Sequence, residues 1–385
     1  MNYFKTIIAN ILFYFKQFSN EVVSTPLKYQ IYREKGYHIF QGYYGQRVGN
    51  TEYIAYNRLK INSDLRDGND ACEIILLDRL NGLTRVVETE YTWNWQLGVL
   101  LNFVGDLLVF NGLENNRAVT KFYSLNSGEF RFFDGHYSLF LGKRNLRFVV
   151  SYKKLADCNS EYGMYYKYSE SIPDDVAFLI CDEAKVLLEI SYAELIAKAE
   201  LKGVGVESMF VNHFFADSGE NNVSFILRWH DSMGDRNDRL FVLDLEENTL
   251  SCIPDVKHIS HLHWNGKGGI VCSILKPKIS YCVIEKREGN WIKNNFEYAR
   301  LSYDTHFVFT DECEFYADTY PGYGRKAKLI KVRHDGQKVE LLANLQSGRF
   351  RGETRCDLHV KQSIHSVTCD IAVNAIERGV IELFE

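Results

Sequence analysis

Histidine recurs in this sequence at the places where short hydrophobic segments begin. Six of the eleven histidines occupy such places, and a glutamine occupies a seventh. Imidazole binds metals such as Mn, Fe, Ni or Zn, and it is the side chain best suited to proton transfer near neutral pH. The pattern has two interpretations. A subset of these residues converges on a metal or an anionic ligand, or each histidine hydrogen-bonds neighbouring backbone in a crowded interior. The seven positions are His38, Gln96, His136, His213, His261, His306 and His359.

Arginine and aromatic residues collect near the same ends of these segments. Arginine binds the two oxygens of a carboxylate or sulfate at once, and tyrosine and tryptophan offer flat faces to sugar rings. A polar channel of this composition would suit an acidic glycan, whereas the alternative is that the arginines form ion pairs between structural units. The residues concerned are Trp95, Gln96, Arg228, Arg236, Tyr320, Arg325 and Arg355.

Short strands must position all of these side chains. Segments of four to seven residues rich in Val, Ile, Phe and Tyr are bounded by Gly, Asn and Asp, which is typical of consecutive antiparallel strands. The seven positions lie 58, 40, 77, 48, 45 and 53 residues apart. Apart from the interval of 77, these values are near the roughly 40–50 residues of a four-stranded propeller blade. We therefore predict an all-β, seven-bladed β-propeller of antiparallel blades.

The last repeat has room for only three strands, at 359–362, 365–370 and 379–384. A closed ring needs a fourth strand, and residues 28–34 alternate between apolar and polar side chains as a strand would. We predict that this N-terminal strand completes the seventh blade. Residues 28–385 would then form a single propeller domain.

The long interval contains a segment of different character. Residues 190–201 are good helix formers, Ser191 is a suitable N-cap, and Glu194 follows three residues later. The sequence therefore predicts a helical insertion near 190–201 within an otherwise all-β chain.

Residues 1–27 are expected to form an amphipathic helix and a linker. The apolar stretch 6–15 is too short for a bilayer, which takes about 20 residues, and it has no cleavage site of a signal peptide. The helix either docks on its own protein or lies on a membrane surface through residues 1–20. The absence of a spanning segment and of a signal peptide, together with the reducing compartment that the cysteines indicate, favours a cytoplasmic protein that is soluble or peripheral to the inner membrane.

Composition narrows the partners and the compartment. A net charge of −5 without a long basic run argues against nucleic-acid binding, which depends on clustered Lys and Arg. Nine cysteines without any CxxC spacing are most simply reduced, buried thiols, and this indicates the reducing compartment.

Several motifs resemble a bacterial propeller family related to the oligogalacturonate lyases and to TolB-type propellers. They are Gly42-Tyr43-Tyr44, 93–96 (Trp-Asn-Trp-Gln), 318–321 (Asp-Thr-Tyr-Pro) and, most specifically, 351–359 (Arg-Gly-Glu-Thr-Arg-Cys-Asp-Leu-His). Members of this family often occur with genes for surface polysaccharides. The resemblance extends from about residue 38 to residue 385.

The resemblance implies an activity and roles for particular residues. Oligogalacturonate lyases hold a metal in the central channel and cleave uronic-acid glycans by β-elimination. By position, His261, His306 and His359 would be ligands of Mn or a similar divalent metal. His213 would be the base or a substrate contact. Arg228 and Arg355 would bind the substrate carboxylate, and Trp95, Gln96, Tyr320, Arg325 and Arg236 would contact the sugar.

Two functions therefore follow from the sequence. The first is a lyase-like enzyme acting on an acidic surface polysaccharide or its precursor. The second is a non-catalytic propeller that binds glycan or assembles enzymes of polysaccharide biosynthesis. The second gains weight because the family's usual tail, Asp-Ser-x-His-x-Gly-x-Arg, is replaced here by residues 370–378, which lack its His and Gly.

Overall fold

Seven sheets, six of four strands and one of five, form the body of the protein in the computed structural model. It describes residues 23–44, 47–61, 70–164, 167–296, 304–309, 314–322, 325–333, 338–348, 350, 352–363, 366–374 and 376–384. Each sheet is an antiparallel blade in which successive strands of the chain pair, and the two N-terminal strands add to the last two blades. The prediction of an all-β seven-bladed propeller is confirmed. The predicted N-terminal amphipathic helix lies outside the described residues.

Two strands precede the first blade, and three complete blades follow them. The leading strands are β1 (Val23–Ser24) and β2 (Lys28–Tyr32). Blade one contains β3 (Tyr37–Phe40), β4 (Tyr53–Lys60), β5 (Cys72–Asp78) and β6 (Thr84–Glu90). Blade two contains β7 (Asn102–Val104), β8 (Leu107–Glu114), β9 (Arg117–Ser124) and β10 (Phe130–Asp134). Blade three contains β11 (Tyr137–Leu141), β12 (Leu146–Val149), β13 (Val176–Cys181) and β14 (Val186–Ser191).

The remaining four blades occupy the second half of the chain. Blade four contains β15 (Met209–Ala216), β16 (Asn222–His230), β17 (Arg236–Asp244) and β18 (Thr249–Cys252). Blade five contains β19 (Ile259–Trp264), β20 (Ile270–Ile274), β21 (Ser280–Arg287) and β22 (Asn290–Phe296). Blade six contains β23 (Phe307–Phe309), β24 (Glu314–Asp318), β25 (Lys326–Arg333) and β26 (Val339–Gln346). Blade seven contains β27 (Lys361–Gln362), β28 (Ser366–Ala372) and β29 (Arg378–Phe384).

Burial follows the position of a strand within its blade. All five residues of the inner strand β11 are buried, whereas the outer strand β10 has none buried. Inner strands contact the inner strands of neighbouring blades, so both of their faces are covered and apolar residues need not alternate with polar ones. The inner strands therefore line a central channel.

The N-terminal strand closes the ring as predicted. β2 pairs antiparallel with β29, from Lys28 opposite Phe384 to Tyr32 opposite Val380. The Tyr32 hydroxyl donates to the buried carboxylate of Glu382 at 2.6 Å. That carboxylate also accepts from Arg79 of blade one at 2.8 Å, so one acidic group joins blade seven, its added strand and blade one. In addition, β1 pairs with β26 and gives blade six a fifth strand.

The long interval contains two short helices rather than one. The predicted helix is α2 (Tyr192–Lys198), and the Ser191 hydroxyl accepts from the backbone N–H of Glu194 at 3.1 Å. Between β12 and β13 lies α1 (Tyr152–Cys158), which the sequence did not predict. Only two of its seven residues are buried, so its apolar periodicity is too short to distinguish it from a loop.

The described residues include eight cysteines, and all eight are free thiols. Within the same part of the chain, neither helix has the length and the apolar character needed to cross a bilayer.

Candidate functional site

Four of the seven recurring residues converge on the channel axis. The rings of His213, His261, His306 and His359 surround the ring of Tyr43, with centroid separations of 5.7, 5.6, 4.7 and 5.4 Å. The four histidines belong to blades four to seven, and Tyr43 follows the inner strand of blade one. The recurring pattern therefore yields an imidazole cluster, but only from four consecutive blades.

The other three recurring residues are turned into the walls. His38 packs edge-on against Trp95, with ring centroids 5.1 Å apart. His136 donates from Nε2 to the carbonyl of Gly112 at 2.9 Å, which supports the structural interpretation for this histidine. The amide of Gln96 donates to the carbonyl of Arg355 at 3.1 Å. Burial lowers the pKa of His136 to about 4, and burial together with the charge of Arg378 lowers that of His38 to about 3.

Irregular backbone points some of these side chains at the axis. The register of β15 shifts between Asn212 and Phe215, and His213 within that bulge has a φ of 57°. A similar shift surrounds His261 in β19, and His359 has a φ of 45°. A bulge re-aims a side chain, and left-handed backbone at residues other than glycine is a strained feature that concentrates at functional sites.

The tyrosine loop, residues 41–44, is held in the channel by its backbone. The carboxylate of Asp370 accepts from the N–H of Gln41 at 2.7 Å and from that of Gly42 at 3.0 Å. Gly42 has a φ of 80°, and a β-carbon there would overlap the backbone of Leu97. Glycine is therefore required for the loop to bring Tyr43 to the axis.

The two tyrosines form hydrogen bonds with two of the imidazoles. The hydroxyl of Tyr43 lies 3.1 Å from Nδ1 of His261, and that of Tyr44 lies 2.7 Å from Nδ1 of His213. Burial raises the pKa of both tyrosines. Burial, reinforced by nearby cationic groups, holds the pKa of His213 and His261 well below the ordinary value. All four groups are therefore neutral at pH 7.

A group of metal-ligand type lies beside this network. Ligand atoms of His306, Asp357 and His359 all lie within 4.8 Å of one another, and all three residues are buried. Nδ1 of His306 lies 2.9 Å from Oδ2 of Asp318, and Oδ1 of the same carboxylate accepts from the backbone N–H of His306 at 2.8 Å. Nδ1 of His359 lies 3.5 Å from Asp370. The Asp318 carboxylate behind His306 is the arrangement that orients a histidine toward a metal, whereas Nδ1 of His359 has no hydrogen-bond partner among the described residues.

The two histidines of this group differ in the direction in which their pKa values are shifted. Burial disfavours the charged form of His306, but the carboxylates of Asp318, Asp357 and Asp304 together outweigh burial and raise the pKa of His306 above its ordinary value. Burial and the neighbouring cationic groups lower the pKa of His359. His359 is thus a ready ligand, whereas on His306 a metal would replace a proton.

The residues present fit a divalent metal. Among the described residues, Oδ1 of Asp357 is buried and has no hydrogen-bond partner, so it could coordinate a cation. Two imidazoles and one carboxylate form a donor set suited to Mn, Fe or Zn. Of the three ligands predicted from sequence, His306 and His359 belong to this group. His261 lies beside it, with its ring centroid 4.2 Å from that of His306.

The predicted arginines lie around the site in different environments. Arg355 pairs with Glu161 and with Asp357. Arg228 is only 1% exposed and donates to the carbonyls of Ile259 and Ser260. Arg236 donates to the Ile259 carbonyl at 3.3 Å, and Arg325 donates to the carbonyls of Gly348 and Phe350.

The predicted aromatic contacts also differ in accessibility. Tyr320 is partly exposed, and its hydroxyl lies 3.4 Å from Nε2 of His261. Its ring centroid is 5.6 Å from that of His306, so it forms a wall of the imidazole cluster. Trp95 is 3% exposed, and the guanidinium of Arg378 lies 4.4 Å from its ring. Tyr320 is therefore placed to meet a ligand, whereas Trp95 packs inside the wall.

Several residues of the site had no role in the sequence-based prediction. Tyr43 was noted only within a motif, and the carboxylates of Asp318, Asp357 and Asp370 were not assigned as ligands or supports. The spacing Asp357-Leu358-His359 was the available signal, because alternate residues of an extended segment share a face. Asp318 and Asp370 carry no such signal, since only strand pairing brings them to the histidines.

Comparison with known proteins supports the fold. No family model and no curated protein matches the chain. The β-propeller domain of the Trilobed protease from Pyrococcus furiosus has 9% identity and a TM-score of 0.55, covering 91% of this chain and 96% of that one. Acylaminoacyl peptidase from Pyrococcus horikoshii has 9% identity and a TM-score of 0.51, covering 87% of this chain and 49% of that one.

The two kinds of protein named in the sequence-based resemblance are also structural neighbours. An oligogalacturonate lyase in complex with manganese has 8% identity and a TM-score of 0.44, covering 93% of this chain and 96% of that one. TolB from Acinetobacter baumannii has 11% identity and a TM-score of 0.40, covering 77% of this chain and 63% of that one. At these identities the similarity concerns the propeller fold alone.

Proposed function

We propose that this propeller is a metal-dependent, lyase-like enzyme that cleaves an acidic surface polysaccharide or its precursor by β-elimination. The observation that carries the proposal is the buried group of His306, Asp357 and His359, whose ligand atoms lie within 4.8 Å of one another. The Asp318 carboxylate behind His306 supports a metal site, because a histidine ligand commonly hydrogen-bonds a carboxylate through its other ring nitrogen.

Substrate binding would use the polar groups on the same side of Tyr43. Arg355 pairs with Glu161 through Nη1 and with Asp357 through Nε, and no described residue accepts from its Nη2, which would receive a uronate carboxylate. Tyr320 offers a flat face beside the histidines. A sugar ring on Tyr320 with its carboxylate toward Arg355 and the metal ligands would place an acidic glycan at this mouth.

In β-elimination, a base takes the proton on the carbon next to the carboxylate. The bond from the neighbouring carbon to the glycosidic oxygen breaks, a carbon–carbon double bond forms, and the leaving oxygen gains a proton. A bound divalent metal would supply stabilisation of the negative charge that develops on the carboxylate. His213 is the proposed base, because it is neutral and its Nε2 has no hydrogen-bond partner within the described part of the chain.

The experiment is an absorbance assay for unsaturated uronate products with a panel of acidic glycans and added Mn²⁺. We expect product with at least one uronate polymer, and we expect His359→Asn to abolish its formation. His136→Asn, in the channel wall of blade three, is the matched control and should retain activity. Absence of product from every uronate polymer, with and without Mn²⁺, would contradict the enzymatic proposal.

A second function, a non-catalytic glycan-binding or scaffold propeller, is favoured by two observations. His213 is fully buried, and Arg228 already donates to two backbone carbonyls. In this case the mouth binds acidic glycan without turnover, and residues 1–20 would hold the protein at the inner membrane. Calorimetric binding of an acidic oligosaccharide without product supports this function, and loss of membrane association on deletion of residues 1–20 supports the membrane contact.

A further inference from the structure

A second cavity, of about 530 Å³, opens at the opposite mouth of the channel. Its lining includes turns that join an inner strand to the second strand of a blade, at Gly105, Lys143 and Ser218. The histidine cluster lies instead near the beginnings of the inner strands. Tyr43 and Tyr44 line the cavity and also contact the histidines, so the two tyrosines separate the cavity from the imidazole cluster.

Phenylalanines from the inner strands of blades two, three, four and six form the apolar part of the wall. They are Phe103, Phe140, Phe215, Phe307 and Phe309. The face of an aromatic ring carries partial negative charge, which attracts the weakly positive C–H groups on the face of a sugar ring. A cavity of a few hundred Å³ that combines such faces with a few polar groups has the usual character of a small-molecule site.

Three uncharged polar side chains stand among these rings with hydrogen-bonding groups to spare. Oδ1 of Asn102, a residue only 3% exposed, accepts from the backbone N–H of Arg47 at 3.2 Å, and no described residue accepts from its Nδ2. Nδ1 of His263 donates to the carbonyl of Trp264 at 2.8 Å, so Nε2 carries the lone pair, and no residue within the described ranges donates to it. The amide of Gln362 likewise has no hydrogen-bond partner in the described part of the chain.

These three side chains match the hydroxyl groups of a sugar. Asn102 offers a donor, His263 an acceptor and Gln362 both, and a hydroxyl group can donate and accept. Burial lowers the pKa of His263, so its ring is neutral at pH 7 and Nε2 stays an acceptor. The three residues come from blades two, five and seven, so they approach a ligand on the channel axis from different sides.

The charges around the cavity balance one another. The more exposed part of the lining carries two cationic and two anionic side chains, and Glu220 accepts from the backbone N–H of Lys143 at 2.9 Å. In the buried part, the carboxylate of Asp370 offsets the charge of Lys361. The lining therefore offers no net charge to compensate an ionic ligand for its lost hydration. The four more exposed residues are Arg47, Lys143, Asp217 and Glu220.

We propose that this second cavity binds an uncharged sugar, a neutral mono- or disaccharide. Its ring packs on the phenylalanines, and its hydroxyl groups hydrogen-bond to Asn102, His263 and Gln362. The site is separate from the imidazole cluster and does not depend on the lyase-like activity, because a neutral sugar has no carboxylate to support β-elimination.

Saturation-transfer-difference NMR of the whole chain at pH 7, without added metal, tests the proposal with a panel of neutral sugars. The panel contains the methyl pyranosides of glucose, galactose, mannose and N-acetylglucosamine, together with maltose and lactose. We expect at least one of them to bind. The corresponding uronate should bind about tenfold more weakly, because its carboxylate must lose water in a lining of balanced charge.

Replacement of His263 tests the hydrogen bonding. His263→Phe keeps the ring contacts with Phe215 and Phe309 but removes the acceptor, so it should weaken sugar binding by about tenfold. His230→Phe is the matched control, because this histidine packs against Phe210 outside the cavity and its replacement should leave the affinity unchanged.

Two further variants use partly exposed positions of the lining. Gln362→Leu should weaken sugar binding to a similar extent, and Val308→Trp should abolish it by filling the cavity. A thermal unfolding midpoint close to that of the original chain confirms that each variant is folded. The proposal is overturned if no sugar of the panel binds, if the uronate binds as tightly as the neutral sugar, or if the folded lining variants leave the affinity unchanged.

Discussion

Asp318 supports His306 from two directions, since it accepts from both the ring and the backbone N–H of that residue. A carboxylate in this position fixes the tautomer of the imidazole and increases its basicity as a ligand. At the scale of single residues, the proposed metal site therefore depends on a side chain that would not itself touch the metal.

Replacing Asp318 by Asn should weaken binding of Mn²⁺ by about 10–100-fold, because the amide cannot hold His306 as the carboxylate does. Isothermal titration calorimetry at pH 7.5 measures this directly. Asp304→Asn is the matched control: Asp304 accepts from Ser260 and Ser273 next to His261 rather than supporting a ligand. Equal losses in both variants would mean that His261 is also a ligand, and no loss in Asp318→Asn would contradict the assigned site.

The buried His38 makes stability depend on pH. Its pKa is lowered from 6.5 to about 3 by folding. Between these two pH values the unfolded chain therefore binds a proton at His38, whereas the folded chain does not. The stability contributed by neutral His38 is therefore present above pH 6.5 and is lost as the pH falls toward 3, by up to about 1.4 kcal/mol per pH unit.

The variant His38→Phe cannot take up this proton and suits the contacts with Trp95 and Phe350. The free energy of unfolding, measured with urea between pH 6.5 and 4.5, should fall less steeply in this variant than in the original chain. Between pH 7 and 8 the free energy of unfolding should depend on pH in the same way in the two proteins. Identical slopes on the acid side would show that His38 is not the group responsible.

At the scale of elements, the tyrosine loop is the feature that joins the two halves of the channel. Its position depends on Gly42, where a side chain would overlap the backbone of Leu97 and where φ is 80°. Gly36 provides a comparison, because its φ is 84° and no atom lies within 4 Å of a β-carbon placed there.

Gly36→Ala should cost about 1 kcal/mol, since only the left-handed backbone is penalised. Gly42→Ala should cost several kcal/mol or displace the loop, because steric overlap is added to the same backbone strain. Urea unfolding measures both values, and quenching of tyrosine fluorescence reports displacement of Tyr43 and Tyr44. Equal costs at the two positions would show that the loop does not need the close contact with Leu97.

The sequence predicted the positions of the strands better than the directions in which their side chains point. The spacing of six histidines and Gln96 indicated seven inner strands, since a strand repeated at a blade's period has few alternatives. It did not reveal that His38 and His136 turn into the wall, because spacing carries no information on the bulges that re-aim side chains. The sequence also did not reveal that the tyrosine loop lies in the channel, because this position depends on a hydrogen bond to Asp370, which is more than 300 residues away.

At the scale of the whole molecule, the carboxylate of Glu382 joins the first and last blades and so closes the ring. It is fully buried and receives hydrogen bonds from Tyr32 and Ser366, along with the ion pair from Arg79. Burial of such a charge is tolerated only when its oxygens are satisfied by partners. Loss of one donor should therefore loosen the junction between blades one and seven.

Tyr32→Phe removes one hydrogen bond to this charge and should lower the free energy of unfolding by about 1.5–3 kcal/mol. Tyr29→Phe lies on the same strand but affects a side chain that is 48% exposed, so it should be nearly neutral. Chemical denaturation of both variants checks the difference. Equal stabilities would show that the Tyr32 hydroxyl contributes nothing to closure.

The pairing of β2 with β29 has a consequence for synthesis of the protein. Tyr32 and Glu382 are 350 residues apart, so β2 leaves the ribosome long before β29 exists. At 5–20 residues per second, the wait is roughly 20–70 s. During that time a strand edge has no partner within its own chain and is open to other nascent chains or to chaperones.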